Sequence, residues 1–109
     1  MIIVAAIDYD GLLTGIGRAP KVAIAKASNG AITSVEEKEV KWGEAHEKEQ
    51  EGLHHSNLAK FFISNKATDI VAAGAGPDMQ HMIERLGIKL HIASGYYRDV
   101  IASIANENK

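Results

Sequence analysis

The chain contains no cysteine. Disulfides, thiolate metal sites and a cysteine nucleophile are therefore excluded. Proline occurs only twice, and there is no low-complexity tract or internal repeat. A composition this mixed argues against disorder. No run of ~18 apolar residues is present, so no membrane-spanning helix is expected. Excess positive charge is also absent. Twelve Lys and Arg stand against fourteen Asp and Glu, a formal net charge of −2. Nothing in that balance holds a nucleic-acid backbone. The opening MIIVAAIDYDG has no basic region and runs into acids. It reads as a strand and not as a signal peptide, which makes the cytoplasm the expected location.

What is present suffices for one core. Of 109 residues, 46% are hydrophobic, which predicts a single domain over 1–109. The acids are uneven, with seven of the fourteen between Glu36 and Glu51.

Ile2–Ile7 is continuously apolar and predicts a strand buried on both faces. A glycine-rich stretch follows, Gly11 to Gly17, of the kind that is commonly mobile or ligand-facing. Lys21–Ser28 predicts a second strand. Asn29-Gly30 is a two-residue hairpin signal, and the return strand runs from Ala31 to about Val40 or Trp42. Its apolar positions Ile32, Val35 and Val40 break alternation, which predicts a bulge or an early end. Gly43–His55 has no strand period and reads as a loop. A helix is expected from Ser56, as its cap, through Ala67, with Leu58, Phe61 and Phe62 inward.

Thr68–Gly87 predicts strand, glycine turn and helix. Ile70–Ala73 is the strand, Pro77 the first helical residue, and Gly87 the stop. Met79, Met82, Ile83 and Leu86 recur at helical spacing and read as core. Ile88–Ala93 is the last strand, and a final helix from Tyr96 buries Tyr97, Val100, Ile101 and Ile104. The order is β-β-β-α-β-α-β-α. It predicts a three-layer α/β domain with a mixed five-stranded sheet, in which the first, fourth and fifth strands are parallel. Their carboxyl ends would gather Asp8–Gly17, Gly74–Pro77 and Ser94-Gly95 on one rim, where open α/β sheets bind ligands.

Three motifs bear on chemistry. Asp8-Tyr9-Asp10-Gly11 after an apolar strand is similar to the opening motif of the haloacid-dehalogenase-like phosphatases. Leu12 stands where that motif has Thr, and no later acidic pair for magnesium follows. Acids that satisfy a loop explain the motif better. His46, His54 and His55 are candidate metal ligands, although no spacing matches a zinc pattern. His81 and His91 read as structural. Gly74-Ala75-Gly76-Pro77 is either a packing turn or an anion cradle. It is neither a dinucleotide fingerprint nor a P-loop.

Taken together, GIGRAPKVAIAKASNGAITSVEE (Gly15–Glu37) and LAKFFISNKATDIVAAGAGPDMQHMIERLGIKLHIASG (Leu58–Gly95) resemble the dinitrogenase iron–molybdenum-cofactor biosynthesis family. The likeness is to its NifX, NifY and NifB C-terminal-domain type and spans Ile2 to about Ile104. It implies a ribonuclease-H-like α/β fold and a non-enzymatic role in binding, carrying or assembling a metal–sulfur cluster of molybdenum, iron or copper. It implies cluster donor or acceptor proteins as partners. Gly15, Gly17, Arg18, Gly74, Gly76, Pro77, Ser94 and Gly95 would cradle the cargo through backbone N–H groups and positive charge. The family often has His-Phe-Gly where this chain has Gly15-Ile16-Gly17, so the metal ligands fall to His54, His55 and His46. Two other readings stand beside this one. The first is a magnesium-dependent phosphoester hydrolase using Asp8 and Asp10. The second is a cargo-free interaction module that docks through Glu36–Glu51.

Overall fold

The computed structural model describes residues 1–44 and 51–107. Five strands form one mixed sheet: β1 (Ile2–Ile7), β2 (Lys21–Ser28), β3 (Ala31–Glu39), β4 (Asp69–Ala72) and β5 (Lys89–Ile92). Their order across the sheet is β3-β2-β1-β4-β5. β1 is antiparallel to β2 and parallel to β4, and β4 is parallel to β5. The helices are α1 (Glu51–Ser64), α2 (Pro77–Arg85) and α3 (Tyr97–Glu107), with a 3-10 turn at Ile16–Arg18. Residues 42–44 are also helical. No helix among the described residues is long and apolar enough to cross a membrane.

Central β1 is buried on both faces because helices cover both. Val4 and Ala6 meet Leu58 and Phe62 of α1 and Met79 and Ile83 of α2. Ile3, Ala5 and Ile7 meet Tyr97, Ile101 and Ile104 of α3. Trp42 closes the first cluster, with edge-on ring contacts to Phe61 at 5.4 Å and Phe62 at 5.8 Å. Met79 is a core residue and Met82 packs at its margin.

Local chemistry sets the connections. Asn29 and Gly30 take φ of 54° and 83°, the left-handed pair that a tight hairpin needs. The expected bulge falls at Thr33. The register steps from Lys26↔Ser34 to Ala27↔Ile32, and the Thr33 hydroxyl donates to the Lys26 carbonyl at 3.2 Å. α2 begins on Pro77 and ends in a Schellman turn. There Gly87, at φ 75°, donates to Glu84, and Ile88 donates to Ile83.

One expectation is corrected. α1 covers Glu51–Ser64, beginning before Ser56 and ending before Ala67, so His54 and His55 lie on a helix and not in a loop. The physical reason is that His54 joins Leu58 and Phe62 at helical spacing on the buried face. The part of the expected loop at 45–50, with His46, lies outside the described residues. The Gly11–Gly17 stretch is stitched to its surroundings. Thr14 donates to Ala6, Leu13 to Gly95, Ile16 to Gly74, and Ala73 to Thr14, at 2.9–3.1 Å. These bonds extend the sheet pairing past the strand ends, which fixes the loop.

Candidate functional site

The carboxyl ends of β1 and β4 open onto a pocket of about 330 Å³. One wall is Gly15, Gly17 and Arg18, where the loop after β1 turns through its 3-10 turn. The opposite wall is Gly74, Gly76 and Pro77, leading into α2. A parallel bridge between Gly15 and Gly74 joins the walls at their base. His54 and His55 of α1 complete the lining.

The glycines fall into two physical kinds. Gly11 sits at φ 84°, and a Cβ there would come 2.6 Å from Tyr96 Cε1. It is required by the backbone and by packing. Gly15 and Gly76 both have φ −66° with extended ψ, a conformation open to any residue. Gly74 is not among the positive-φ residues. A Cβ on Gly74 or Gly76 would meet nothing within 4 Å, and one on Gly15 would stand 3.9 Å from the Gly74 carbonyl oxygen. These three satisfy no packing need of the protein. What they do is keep the pocket's backbone bare.

Gly76 caps α2 without a side-chain hydrogen bond, and Gly15 likewise caps the 3-10 turn. The first N–H groups of α2 lack an intrahelical partner, and the helix dipole makes that end electropositive. Asp78 stands in the first turn and also lines the pocket. Its carboxylate competes with any incoming anion for the same field. Gln80 Nε2 donates to the Ala75 carbonyl at 2.8 Å and fixes the turn.

His54 is buried, with its Nε2 3.7 Å from where a Gly17 Cβ would lie. His55 is half-buried, and the two ring centroids are 6.2 Å apart. Among the described residues, no three His, Asp or Glu side chains converge as a metal-ion site.

Most of the residues expected at the rim thus come together: Gly15, Gly17, Arg18, Gly74, Gly76, Pro77, His54 and His55. Ser94 and Gly95 do not line the pocket. The Gly95 carbonyl instead takes the Leu13 N–H at 2.9 Å, and Gly95 sits at φ 112°. That segment braces the loop from the α3 side. Ile16 and Ala75, inside the expected rim segments, line it too, while Asp78 and Met79 do so unforeseen. Asp78 could have been found from its place after Pro77, since an acid there marks a helix start.

The alternative residues have their own places. Asp8 Oδ1 accepts from the Asp10 and Leu12 N–H groups at 2.9 and 3.0 Å, holding the turn after β1. Glu36, Glu37 and Glu39 lie exposed on edge strand β3. Glu37 accepts from Lys21 Nζ and from the Tyr97 hydroxyl, both at 2.7 Å. Its carboxyl is held below the usual range, first by the Lys21 hydrogen bond and then by Tyr97. Tyr97 is pushed up, first by burial and then by its bond to Glu37.

No family model matches the chain, and no curated protein does at significant similarity. Solved structures do. The protein PH0822 superposes with a TM-score of 0.77 at 20% identity, over 98% of this chain and 92% of that one. MJ0327 of Methanocaldococcus jannaschii, described as a "putative dinitrogenase", gives 0.68 at 13% identity, over 99% of this chain and 89% of its own. At these identities the likeness is one of fold.

Proposed function

We propose that the protein binds and carries an anionic metal–sulfur cluster of molybdenum, iron or copper in the rim pocket, and that it catalyses no reaction. One observation carries the reading. Gly15, Gly74 and Gly76 line a pocket where neither φ nor packing asks for glycine. Bare backbone there lets N–H groups approach the sulfides of a cluster. Arg18 adds charge, and His54 and His55 supply imidazole nitrogens. A bare ion would find too few side-chain ligands among the described residues. A cluster brings its own sulfide ligands, which suits a cysteine-free pocket. The fold shared with MJ0327 supports the same reading, as does the family resemblance, with its ribonuclease-H-like fold and its cluster donor and acceptor partners. The hydrolase reading is weaker, because Asp8 Oδ1 is engaged by two backbone N–H groups.

The test is anaerobic reconstitution with iron–sulfur and thiomolybdate–copper clusters, followed by charge-transfer absorption. Wild type should take up one class of cluster. No uptake of any class sinks the cargo proposal. His55→Ala should weaken uptake at unchanged stability, and His54→Gln should do so with its ring position still filled. Uptake unchanged in both variants removes the histidines from the site. Asp78→Asn should strengthen uptake, because it removes the one carboxylate in the α2 first turn.

A further inference from the structure

The two edges of the sheet are finished differently. β3 carries Glu36, Glu37, Lys38 and Glu39 along its exposed length, charges that discourage another strand from pairing there. β5 has Lys89 as its one formally charged residue, and Ile92 is 56% exposed. The N–H groups of Lys89 and Ala93 point inward to the Thr68 and Ala72 carbonyls. By strand alternation, those of Leu90 and Ile92 point outward to the open edge.

Beside that edge, on the α3 face, lies a cavity of about 410 Å³. Its polar lining includes His91, Asp99 and Glu107, and its apolar lining includes Ile92 and Val100. His91 Nε2 lies 2.8 Å from Asp69 Oδ2, and Asp69 is buried. The Thr68 hydroxyl donates to Asp69 Oδ1 at 2.8 Å. A buried carboxylate so placed accepts a hydrogen bond from the Nε2–H and orients the ring. The ring so held lines the cavity. Two carboxylates beside apolar side chains suit the cationic head and alkyl stem of a lysine or arginine.

We propose that β5 and this cavity bind an extended, basic segment of a partner protein. The segment would add as a sixth strand through the outward groups of Leu90 and Ile92. Its alternate side chains would place cations beside Asp99 and Glu107. The rim pocket opens on the α1 and α2 face, so this docking does not depend on what that pocket holds.

The test uses the full chain and two blocked six-residue peptides, one alternating lysine with valine and one alternating glutamate with valine. The readout is the backbone amide resonances. The lysine peptide should shift Leu90 and Ile92 on titration, and the glutamate peptide should not. Asp99→Asn with Glu107→Gln should weaken binding about fivefold, and added salt should do likewise. Ile92→Lys should abolish binding. All three positions are on the surface, so denaturation midpoints should hold and show the variants folded. Equal binding of both peptides, or shifts that map elsewhere, overturns the proposal. Edge shifts that grow with protein concentration alone also overturn it, because a second copy would then be the occupant.

Discussion

Gly15→Ala should raise stability, whereas Gly11→Ala, four residues earlier in the same loop, should lower it. At Gly15 the native φ of −66° and ψ of 142° suit alanine, and the new methyl would meet only the Gly74 oxygen at 3.9 Å. The folded state is unstrained, while the unfolded chain loses freedom. The gain is about 0.4–1 kcal/mol, or roughly 2–6 °C in Tm for a domain of this size. At Gly11 the φ of 84° makes any side chain pay about 1–2 kcal/mol. The Cβ would also lie 2.6 Å from Tyr96 Cε1. Tyr96 is partly exposed and can swing away, which limits the packing cost. With the same unfolded-state gain set against it, the net loss is about 1–3 kcal/mol. Urea denaturation followed by the fluorescence of Trp42, the single tryptophan and a buried one, would measure both variants. The denaturant slope should stay constant, since neither change alters the surface exposed on unfolding. A Gly15→Ala variant destabilised by more than about 1 kcal/mol refutes the claim that Gly15 answers no need of the fold. A neutral Gly11→Ala variant refutes the packing argument. In the same proteins, Gly15→Ala should lose cluster uptake while gaining stability, a split that a purely structural glycine cannot produce.

Other parts of the structure can be tested separately. Phe62→Ala, which removes a fully buried ring packed against Trp42, should cost about 3–5 kcal/mol by denaturation. Lys66 ends α1 at φ 55°, where α2 uses Gly87, so Lys66→Gly should stabilise by about 0.5–1 kcal/mol. Tyr97→Phe should cost about 1 kcal/mol and flatten both limbs of the stability–pH curve. Glu37, held low, stabilises above its ordinary pKa and loses that contribution as pH falls through the folded value. Tyr97 and Lys21, held high, stabilise below their ordinary pKa values and lose that contribution as pH rises through the folded ones. Thermal melts across pH that keep their full acid and alkaline limbs in Tyr97→Phe would disprove the Tyr97–Glu37 coupling.

Much of the fold was legible because local signals and tertiary outcome agree. Asn29-Gly30 forces its turn, Thr33 absorbs the broken alternation of β3, and Pro77 and Gly87 bracket α2. The start of α1 is hidden in the sequence because His54 counts as polar. In the fold it is buried one turn before Leu58 and two before Phe62. Counting that histidine as apolar would have extended the helix period into the supposed loop. The Tyr97–Glu37 bond could not be foreseen, because 60 residues separate its partners and no local pattern joins them.

The site was legible only as a place. Topology brings the ends of β1 and β4 to one rim, and chain order is enough to say so. What sets the rim's glycines apart is which of them the backbone requires and which it does not, and the letter G does not distinguish them. Gly11 and Gly95 have left-handed or related φ, and both sit on the α3 side of the loop, the Gly95 carbonyl clasping Leu13. A Cβ on Gly74 or Gly76 would face open space, and one on Gly15 would make only an ordinary contact. Ser94-Gly95 resembles the pocket glycines in sequence yet does not line the pocket. Sorting glycines by φ and by what a Cβ would strike divides one glycine-rich rim into a brace and a cradle. The cradle half is where replacement by alanine should cost binding and leave the fold intact.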